Sequence, residues 1–458
     1  MSDASDPAAL ERLRTTISGS IVLPGDAGYD EARRAWNLAV DQRPAAIATP
    51  LDVHEVQALV RSAAGHGLRV TTQPNGHGAS GSLEGVLVIR PTHLDEITVD
   101  RQTRMLRVGA GVNWGRALSE LDGSGLIALA GSNPEVNAVA LALNGGHSMF
   151  SRRSGLTARS VVSAELVDAS GAVHWLADAD DRDLLWALRG GGGAFGVVTS
   201  IQFALYQGDR LFGGSLAFPA EVAADVITAA FDLARDEPEL GIDTGMARFP
   251  DIPLVPPPLR GQTVATVALV HVGDEAAGRR HADRLRAVAE PIADTLTAFT
   301  IGSLAAVAAE PVDPMPTADF GGAIGGGDAA FAHDFVAAFL AGAEHGLMRC
   351  GLRVLGGAVA DELGAEFAAV GALHAPLLLN AGALLFDPSV DPAAAFEPLE
   401  RLVAAYPPEG GGVPSFLGSG ASFADAYGPE TIARLEDVKR RVDPDGVFVA
   451  NRPFRAAP

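Results

Sequence analysis

Apolar and polar residues along the first 208 positions predict short strands and helices that follow one another. Apolar residues recur at helical spacing over 53–60, two glycines end that helix, and LRVTTQ (68–73) begins a strand. Further strands are predicted at 85–90 and 104–111, with a helix at 114–125. Such an alternation is typical of a mixed domain in which helices pack on sheets.

The same part of the chain continues with two strands within 160–176, joined by a turn at Ala169–Gly171, and with a helix, a glycine cluster and a strand within 181–206. After Gly208 the chain becomes richer in alanine and proline. There the pattern predicts helices at 220–236, 275–290 and 329–345, strands at 263–272 and 376–386, loops at 251–260 and 321–330, and a helix, a turn and a short strand within 427–454.

The chain has 458 residues, of which 48% are hydrophobic and 20% charged. This length and composition indicate a folded protein of two domains, or of one domain with a large insertion. The net charge of −22 argues against nucleic-acid and anionic-membrane partners, since phosphate binding needs basic surfaces. Cys350 is the only cysteine, which excludes an intrachain disulfide, and no metal site is predicted. Met1–Leu10 lacks the basic start and apolar run of a secretion signal, so a cytoplasmic location is predicted. Many arginines beside a single lysine, Lys439, suggest a bacterial source with a GC-rich genome.

Glycine clusters in the first part of the chain supply the first chemical signal. NGHGASG (75–81), a glycine-punctuated stretch over 131–160 and RGGGGAFG (189–196) each offer many backbone N–H groups to one ligand, which suits phosphate. Because more than one such loop occurs, we expect a dinucleotide. The Rossmann fingerprint does not fit, since a predicted strand rather than a helix follows NGHGASG, and no P-loop is present.

Four longer stretches carry a family resemblance. In chain order they are LRVTTQPNGHGASG, GSNPEVNAVALALNGGHSMFSRRSGLTA, DLLWALRGGGGAFGVVTSIQF and YGPETIARLEDVKRRVDPDGVFVANRPF. Together with YDEARRAWN (29–37), they resemble FAD-linked oxidases of the vanillyl-alcohol oxidase superfamily, which have a PCMH-type FAD-binding domain, in the berberine-bridge-enzyme-like branch. The resemblance covers most of 20–208 and 413–455, whereas 209–400 resembles the family only loosely.

The resemblance implies an α+β fold with a two-part FAD-binding domain, formed by residues 1–208 and by a returning segment, 413–458. An α+β substrate domain, 209–412, would cover the flavin with an antiparallel sheet. Carried over position by position, the motifs imply FAD contacts from three loops and the C-terminal segment, namely Pro74, Asn75, Gly76, His77, Gly78, Ala79, Ser80, Gly131, Ser132, Val136, Ala140, Asn144, Gly145, Gly146, Ser148, Val197, Val198 and Asn451.

The resemblance further implies that His77 bonds covalently to the 8α-methyl group of the flavin. A neutral imidazole nitrogen can add to that activated methyl group of an oxidised flavin. Three alternatives remain open: His77 is a turn histidine with no ligand, it contacts FAD without a bond, or His147 is the linked residue. Members with two links carry a cysteine at the position of Asn133, so a cysteinyl link is not expected.

Several positions depart from the family pattern. Asn137, Ala140, Asn144 and Ser148 stand where members usually have glycine. Asparagine tolerates positive φ, so Asn137 and Asn144 are expected to keep the backbone shape, whereas Ala140 is expected to reshape the loop. Val136 lies where the family controls the access of oxygen, and a small residue there is compatible with oxidase activity.

The catalytic polar groups of the family are also missing. Members usually have Tyr-x-Asn-Tyr or Tyr-x-Asn-Phe shortly before the C-terminal helix, and this chain has VPSF (413–416), which predicts an apolar site. His374, beside the strand 376–386, is the remaining candidate for a base, and Tyr427 is the second catalytic candidate. The alternatives are that His374 is an ordinary histidine at the edge of the sheet and that Tyr427 has a structural role. Asn380 is expected to cap or line the same sheet.

The resemblance therefore predicts a flavoprotein oxidase. A hydride would pass from the substrate to flavin N5 as a base removes a proton, and O₂ would take the electrons and give H₂O₂. With few polar site residues, a small, mostly apolar natural-product intermediate of secondary metabolism is expected as substrate. An FAD-binding cyclase or isomerase without net oxidation, and a binding protein without flavin, are the alternatives. Oligomeric state is left open.

Overall fold

The computed structural model describes residues 7–81, 83–361 and 366–456. The first six residues of the Met1–Leu10 segment and Ser82, which follows the loop at 74–81, lie outside the described residues. Strands before residue 208 are β1 (Ser20–Val22), β2 (Ala46–Thr49), β3 (Arg69–Thr72), β4 (Val86–Ile89), β5 (Ile97–Asp100), β6 (Met105–Gly109), β7 (Leu126–Ile127), β8 (Val161–Val167), β9 (Val173–Leu176), β10 (Val197–Ala204) and β11 (Tyr206–Gln207).

These strands form two main sheets. In the first, with order β1-β2-β4-β3, the pairs β2–β4 and β4–β3 are parallel and β1 is antiparallel to β2. The second has the order β5-β6-β10-β8-β9 and is antiparallel throughout. Strands β7 and β11 pair with each other. The parallel strands β3 and β4 end at the same edge of their sheet, which is where the loop with His77 begins.

The later strands form one large antiparallel sheet. They are β12 (Leu211–Pro219), β13 (Gly241–Arg248), β14 (Thr263–Val272), β15 (Ala293–Asp294), β16 (Thr297–Phe299), β17 (Thr317–Ile324), β18 (Leu347–Val354) and β19 (Leu377–Leu384). The order is β15-β12-β14-β13-β18-β19-β17, and β16 also pairs with β12. All of these strands lie between the predicted boundaries at 208 and 413, although the division into domains itself stays a prediction.

Helices occur in both parts of the chain. They are α1 (Pro7–Leu13), α2 (Tyr29–Ala32), α3 (Val53–Gly65), α4 (Trp114–Leu121), α5 (Ala138–Leu143), α6 (Ser151–Ser154), α7 (Arg182–Leu188), α8 (Ala223–Asp236), α9 (Glu275–Arg286), α10 (Ala305–Ala308), α11 (Ala329–Ala343), α12 (Pro392–Ala405) and α13 (Pro429–Val442). Of the helices in the described ranges, none is long and apolar enough to cross a bilayer.

The alternation of side chains along β19 shows how the large sheet is placed. Leu377, Leu379 and Ala381 are buried in the cluster that α8, α11 and α12 cover. Leu378 is buried instead in the core of the first part of the chain. Successive side chains of a strand point to opposite faces, so the sheet has a helix-covered outer face and an inner face toward the first part of the chain. Asn380 falls on the inner face, as the sequence led us to expect.

Two predictions about local structure are wrong. Residues 321–330 were expected to be a loop because of their glycines, yet β17 extends to Ile324 and pairs Gly321 with Asn380. A Cβ at Gly321 would lie 2.5 Å from the Phe416 carbonyl oxygen and 2.6 Å from that of Leu379. Glycine is therefore required there by close packing, not by a turn. The short strand expected near the C-terminus forms only a single bridge, between Phe448 and Val70.

We expect Gly321→Ala to lower the free energy of unfolding by about 1–3 kcal/mol, because the added methyl group overlaps two carbonyl oxygens. Gly351→Ala is the matched control, since it lies in the same sheet and its Cβ would meet only the Asn380 carbonyl oxygen, at 3.8 Å. Thermal unfolding followed by circular dichroism measures both. Equal midpoints for the two variants would contradict this account of Gly321.

Candidate active site

A cleft opens between the end of β3, helix α5 and the returning C-terminal segment. Concave, mostly apolar sites with a few polar groups are typical of small-molecule and cofactor binding. Most of the wall is made of small or apolar residues, and the lining residues include Thr71, Thr72, Pro74, Ala110, Val139, Ala140, Leu143, Asn144, Gly192, Gly193, Gly196, Val198, Phe423, Val449, Ala450, Asn451 and Arg452. The predicted contacts Pro74, Ala140, Asn144, Val198 and Asn451 are among them.

The loop after β3 is held in shape from both ends of the chain. Gly76 has φ +78°, and a Cβ there would lie 2.9 Å from the Ala35 side chain, so only glycine fits without strain. Asn451 donates from Nδ2 to the Gly78 carbonyl at 2.5 Å and accepts from the Ser80 N–H at 3.1 Å. The C-terminal segment therefore fixes the stretch around His77. The neighbouring Ala79 is buried.

The second loop does not use positive φ at the asparagines, contrary to expectation. Asn137 has φ −67° and caps α5 by accepting from the Ala140 N–H at 2.9 Å, while its Nδ2 donates to the Ala110 carbonyl at 2.7 Å. Asn144, with φ −106°, ends the same helix. Ala140 lies inside α5, where alanine is favoured. The loop thus forms a capped helical turn that faces the cleft.

The remaining predicted contacts lie around that helix. Gly145 and Gly146 follow α5 with positive φ, and Ser148 is buried and accepts from the Phe150 N–H at 3.3 Å. Val197 is buried in β10 beside Val198. Gly131, Ser132 and Val136 precede α5, and the Val136 carbonyl accepts from the Trp114 N–H at 3.0 Å.

His77 has an unusual environment. Its ring stacks on Trp36 with a centroid distance of 4.3 Å and an interplanar angle of 16°. Both ring nitrogens are buried, and among the described residues neither has a hydrogen-bond partner. Burial lowers the pKa of His77 to about 4, against a smaller opposing effect of the Glu310 carboxylate. The imidazole is therefore neutral at pH 7, with its nitrogens unused by the described protein groups.

His147, the rival for the covalent link, lies in a different environment. It is buried and meets Phe416 edge to face at 6.0 Å between ring centroids. Burial lowers the pKa of His147 to about 3, and the positive charges of Arg353 and Arg152 lower it further. The ring thus packs between the second loop and the segment after the large sheet.

The inner face of the large sheet carries a charged network. Arg353 of β18 donates to Asp243 of β13 at 2.8 Å and to Glu310 at 3.3 Å. Ser132 of the second loop donates to the same Oε1 of Glu310 at 2.7 Å. The network therefore joins the sheet to a predicted cofactor loop. Asp243 Oδ1 is buried without a partner among the described residues.

The charges of this network are set by its neighbours. Burial alone would raise the pKa of Glu310, but the guanidinium groups of Arg353 and Arg349 and the Ser132 hydroxyl lower it below its ordinary value. Burial raises the pKa of Asp243, against the effect of Arg353. Burial likewise raises the pKa of Asp319, which accepts from Thr317 at 3.0 Å. The neighbours of Glu310 therefore favour its ionised form.

The segment that carries Glu310 is joined to the first part of the chain. Asn133 donates to the Pro311 carbonyl at 2.8 Å, and Trp36 Nε1 donates to the Val312 carbonyl at 3.2 Å. The Asn37 side chain donates to the Thr317 carbonyl at 3.0 Å and accepts from the Thr317 N–H at 3.1 Å. This joining segment, residues 310–317, leads directly into β17.

The two candidate catalytic residues lie apart from this network. His374 is exposed on the connection that leads into β19. Tyr427 is buried, and its hydroxyl donates to the Gly190 carbonyl at 2.7 Å. Burial raises the pKa of Tyr427 well above its ordinary value. These surroundings are those of the structural alternatives, and the catalytic roles stay predictions.

Sequence reasoning missed this network, and the expectation of an apolar site stays a prediction. Arg353 and Asp243 lie in strands that were not predicted, and Glu310 lies just after α10. A usable signal was present in LMRCGLRV (347–354), where two arginines interrupt an apolar strand four residues apart and so share one face. The sequence does not show whether that face is the inner or the outer face of the large sheet.

The residues present fit FAD. The three predicted loops build the walls of the cleft from small residues, and the returning C-terminal segment forms part of its rim. His77, in the first of these loops, has two ring nitrogens without a hydrogen-bond partner among the described residues. Unpaired buried nitrogens are rare in a folded protein. A ligand that occupies the cleft and reaches His77 accounts for both observations.

Comparison with known proteins agrees with this geometry. Residues 44–177 match the model of an FAD binding domain family. Over 305 residues, which are 64% of each protein, the chain is 28% identical to (R)-6-hydroxynicotine oxidase of Paenarthrobacter nicotinovorans. The chain thus spans less than two thirds of this relative's length.

Solved structures show the same fold. The crystal structure of 6-hydroxy-D-nicotine oxidase from Arthrobacter nicotinovorans matches with a TM-score of 0.82 at 24% identity, covering 96% of this chain and 98% of that one. BBE-like 1 of Physcomitrella patens matches with a TM-score of 0.81 at 19% identity, covering 98% of this chain and all of that one.

These findings first define a class, a protein with the α+β fold of known FAD-linked oxidases in which residues 44–177 match an FAD binding domain family. Its relatives and structural neighbours are FAD-linked oxidases of the vanillyl-alcohol oxidase superfamily, including berberine-bridge-enzyme-like proteins. The family resemblance and the fold class predicted from the sequence are therefore confirmed.

We expect Asn451→Ala to weaken FAD binding by about tenfold, because it removes two hydrogen bonds, to Gly78 and Ser80, that shape the loop. Titration of the flavin-free protein with FAD, followed by flavin fluorescence, measures the change. Gln262→Ala, on an exposed loop remote in sequence from the cleft segments, is the control. An unchanged affinity in Asn451→Ala would contradict a role for this clamp.

A pH dependence follows from His147. The pKa of His147 is about 3 in the folded protein and near 6.5 in the unfolded chain. Below pH 6.5 the unfolded chain therefore binds a proton that the folded protein does not, and stability falls by up to about 1.4 kcal/mol per pH unit as the pH drops toward 3. We expect His147→Leu to flatten the loss of thermal midpoint between pH 6 and pH 4. The same slope in both proteins would contradict this assignment.

Proposed function

We propose that the protein is an FAD-dependent oxidase that takes a hydride from a small, mostly apolar substrate and passes the electrons to O₂, giving H₂O₂. The proposal is carried by the cleft of small residues, which Pro74 lines, together with His77, three residues further on, whose buried ring nitrogens have no hydrogen-bond partner among the described residues. The names of the nicotine and oligosaccharide oxidases among the relatives support the oxidase class.

The three loops and Asn451 hold the cofactor, and the inner face of the large sheet excludes water from the reacting atoms. FAD, when bound, supplies the hydride acceptor and the site of O₂ reduction. The substrate loses two electrons and two protons in total, and O₂ takes up both to become H₂O₂. A substrate of this kind needs a group that accepts the proton of its O–H or N–H bond.

The lowered pKa of Glu310 makes it a weak base, and it is suited instead to accept a hydrogen bond from that O–H or N–H group. Its ionised form is favoured by Arg353 and Arg349, and the bonds from Ser132 and Arg353 both go to Oε1, so that Oε2 is left for a substrate donor. Leu378 lies opposite Arg353 on the inner face of the sheet and, with the glycines of β18 and β19 on that face, supplies an apolar surface. We therefore expect a mostly apolar substrate that carries one hydrogen-bond donor near the oxidised carbon.

In this proposal His77 holds the flavin covalently. Its imidazole is neutral at pH 7 because burial lowers its pKa to about 4, so a nitrogen lone pair is available for bond formation. No cysteine is near enough in sequence or fold to add a second link, since Cys350 is buried among the residues that pack against the helices. His147 packs against Phe416 and is not the linked residue.

The test is an absorbance spectrum of the purified protein, repeated on pellet and supernatant after acid precipitation. We expect a flavin spectrum that stays with the pellet in the wild type and moves to the supernatant in His77→Ala. His147→Ala is the matched control and should keep its flavin in the pellet. A colourless, folded preparation from flavin-replete cells would overturn the FAD proposal itself.

A second function is favoured by one observation. None of the four tyrosines lies on the inner face of the sheet: Tyr29 donates to Pro44, Tyr406 to Asp334 and Tyr427 to Gly190, while Tyr206 lies in β11. The alternative is an FAD-binding cyclase or isomerase without net oxidation. Anaerobic mixing with a candidate substrate separates the two, because bleaching of the flavin supports oxidation, and a rearranged product without bleaching supports the alternative.

A further inference from the structure

Trp36 stacks on the ring of His77. The two rings lie nearly parallel, with centroids 4.3 Å apart and 16° between their planes. A buried structural histidine ordinarily holds its ring by hydrogen bonds from one or both nitrogens. Among the described residues His77 has neither bond. The face of the indole therefore fixes the plane of the imidazole and leaves both buried ring nitrogens without a hydrogen-bond partner among the described residues.

Trp36 is itself firmly held. Its backbone N–H donates to the Asn75 carbonyl at 2.8 Å, which ties it to the loop that carries His77. Its indole Nε1 donates to the Val312 carbonyl at 3.2 Å, and its own carbonyl accepts from the Met315 N–H at 3.2 Å. The indole is thus fixed between the loop and the joining segment 310–317, and it has little freedom to follow the imidazole.

We propose that Trp36 is a positioning residue that presents the imidazole of His77 to the flavin for covalent attachment. This inference rests on the proposed FAD function and on its covalent link. Trp36 contributes no atom to the bond, so it acts only through the orientation of His77.

The attachment step that Trp36 would assist is an oxidation. A bond forms between an imidazole nitrogen and the 8α carbon while a C–H bond at that carbon breaks. The 8α proton and the imidazole proton are released, and the electron pair reduces the flavin ring. O₂ then accepts two electrons and two protons and becomes H₂O₂.

The experiment measures attachment separately from binding. The full chain is produced in riboflavin-limited cells as wild type, Trp36→Ala, Trp36→Phe and Trp175→Ala, and FAD is then added in air. Trp175 is half exposed on β9 and serves as the matched tryptophan control. Covalent flavin is followed over time as fluorescence of the denatured protein band, and bound flavin as the flavin-to-protein ratio before denaturation.

We expect Trp36→Ala to slow covalent attachment at least tenfold while it still binds FAD. Trp36→Phe should restore most of the rate, because it keeps a ring against His77 although it loses the bond to Val312. Wild-type rates in Trp36→Ala would overturn the inference. Equal loss in Trp36→Ala and Trp36→Phe would also overturn it, since stacking would then not be the property that matters.

Failure of the proposed FAD function can be distinguished from failure of the Trp36 inference. If the wild type binds FAD but never attaches it, the covalent link is wrong, and the role of Trp36 falls with it. If the wild type binds no FAD, the proposed function is wrong. If the wild type attaches flavin, the difference in rate between the variants tests the role of Trp36 itself.

Discussion

The return of the C-terminal segment to β3 is the constraint on which the candidate site depends. Val70 exchanges backbone hydrogen bonds with Val447 and Val449, at 2.7 and 2.8 Å, and the next residues supply a wall of the cleft. Lys439 stabilises this return by donating to the Phe448 carbonyl at 2.8 Å and to Asp443. Asp443 in turn accepts from the N–H groups of Val447 and Phe448. Because more than 370 residues separate Asn451 from Gly78, the cleft forms only when both ends of the chain have folded together.

The charged network fixes the position of the large sheet, just as the C-terminal segment fixes the loop that carries His77. A buried arginine is tolerated only when carboxylates offset the cost of removing it from water. Arg353 meets that condition through Asp243 and Glu310. Since Ser132 belongs to a predicted cofactor loop, the same network fixes the distance between the sheet and that loop. Geometry and charge at the site are therefore set by one group of contacts.

Local patterns in the sequence predicted much of the fold. The helix near 53–60, the strands on either side of the His77 loop and the strand at 376–386 depend on neighbouring residues, and the structure contains them. The loop with His77 was found because its glycines and histidine are adjacent in sequence. Glu310 and Arg353, by contrast, are 43 residues apart, and nothing in the spacing shows that they meet. Gly321 was misjudged for the same reason, because its close neighbour Phe416 is distant in the chain.

The way in which the joining segment is attached determines which of its positions tolerate substitution. Its attachments to Asn133, Trp36 and Asn37 are made by the carbonyl groups of Pro311, Val312 and Thr317. The side chains of residues 311–314 point to solvent. Substitutions there leave the attachments intact, provided that the backbone keeps its path, so the segment can diverge in sequence without separating the two parts of the molecule. Glu310, one residue earlier, has no such freedom, because its side chain itself makes the contacts. A single peptide bond therefore separates a position where mutation is tolerated from one where it is not.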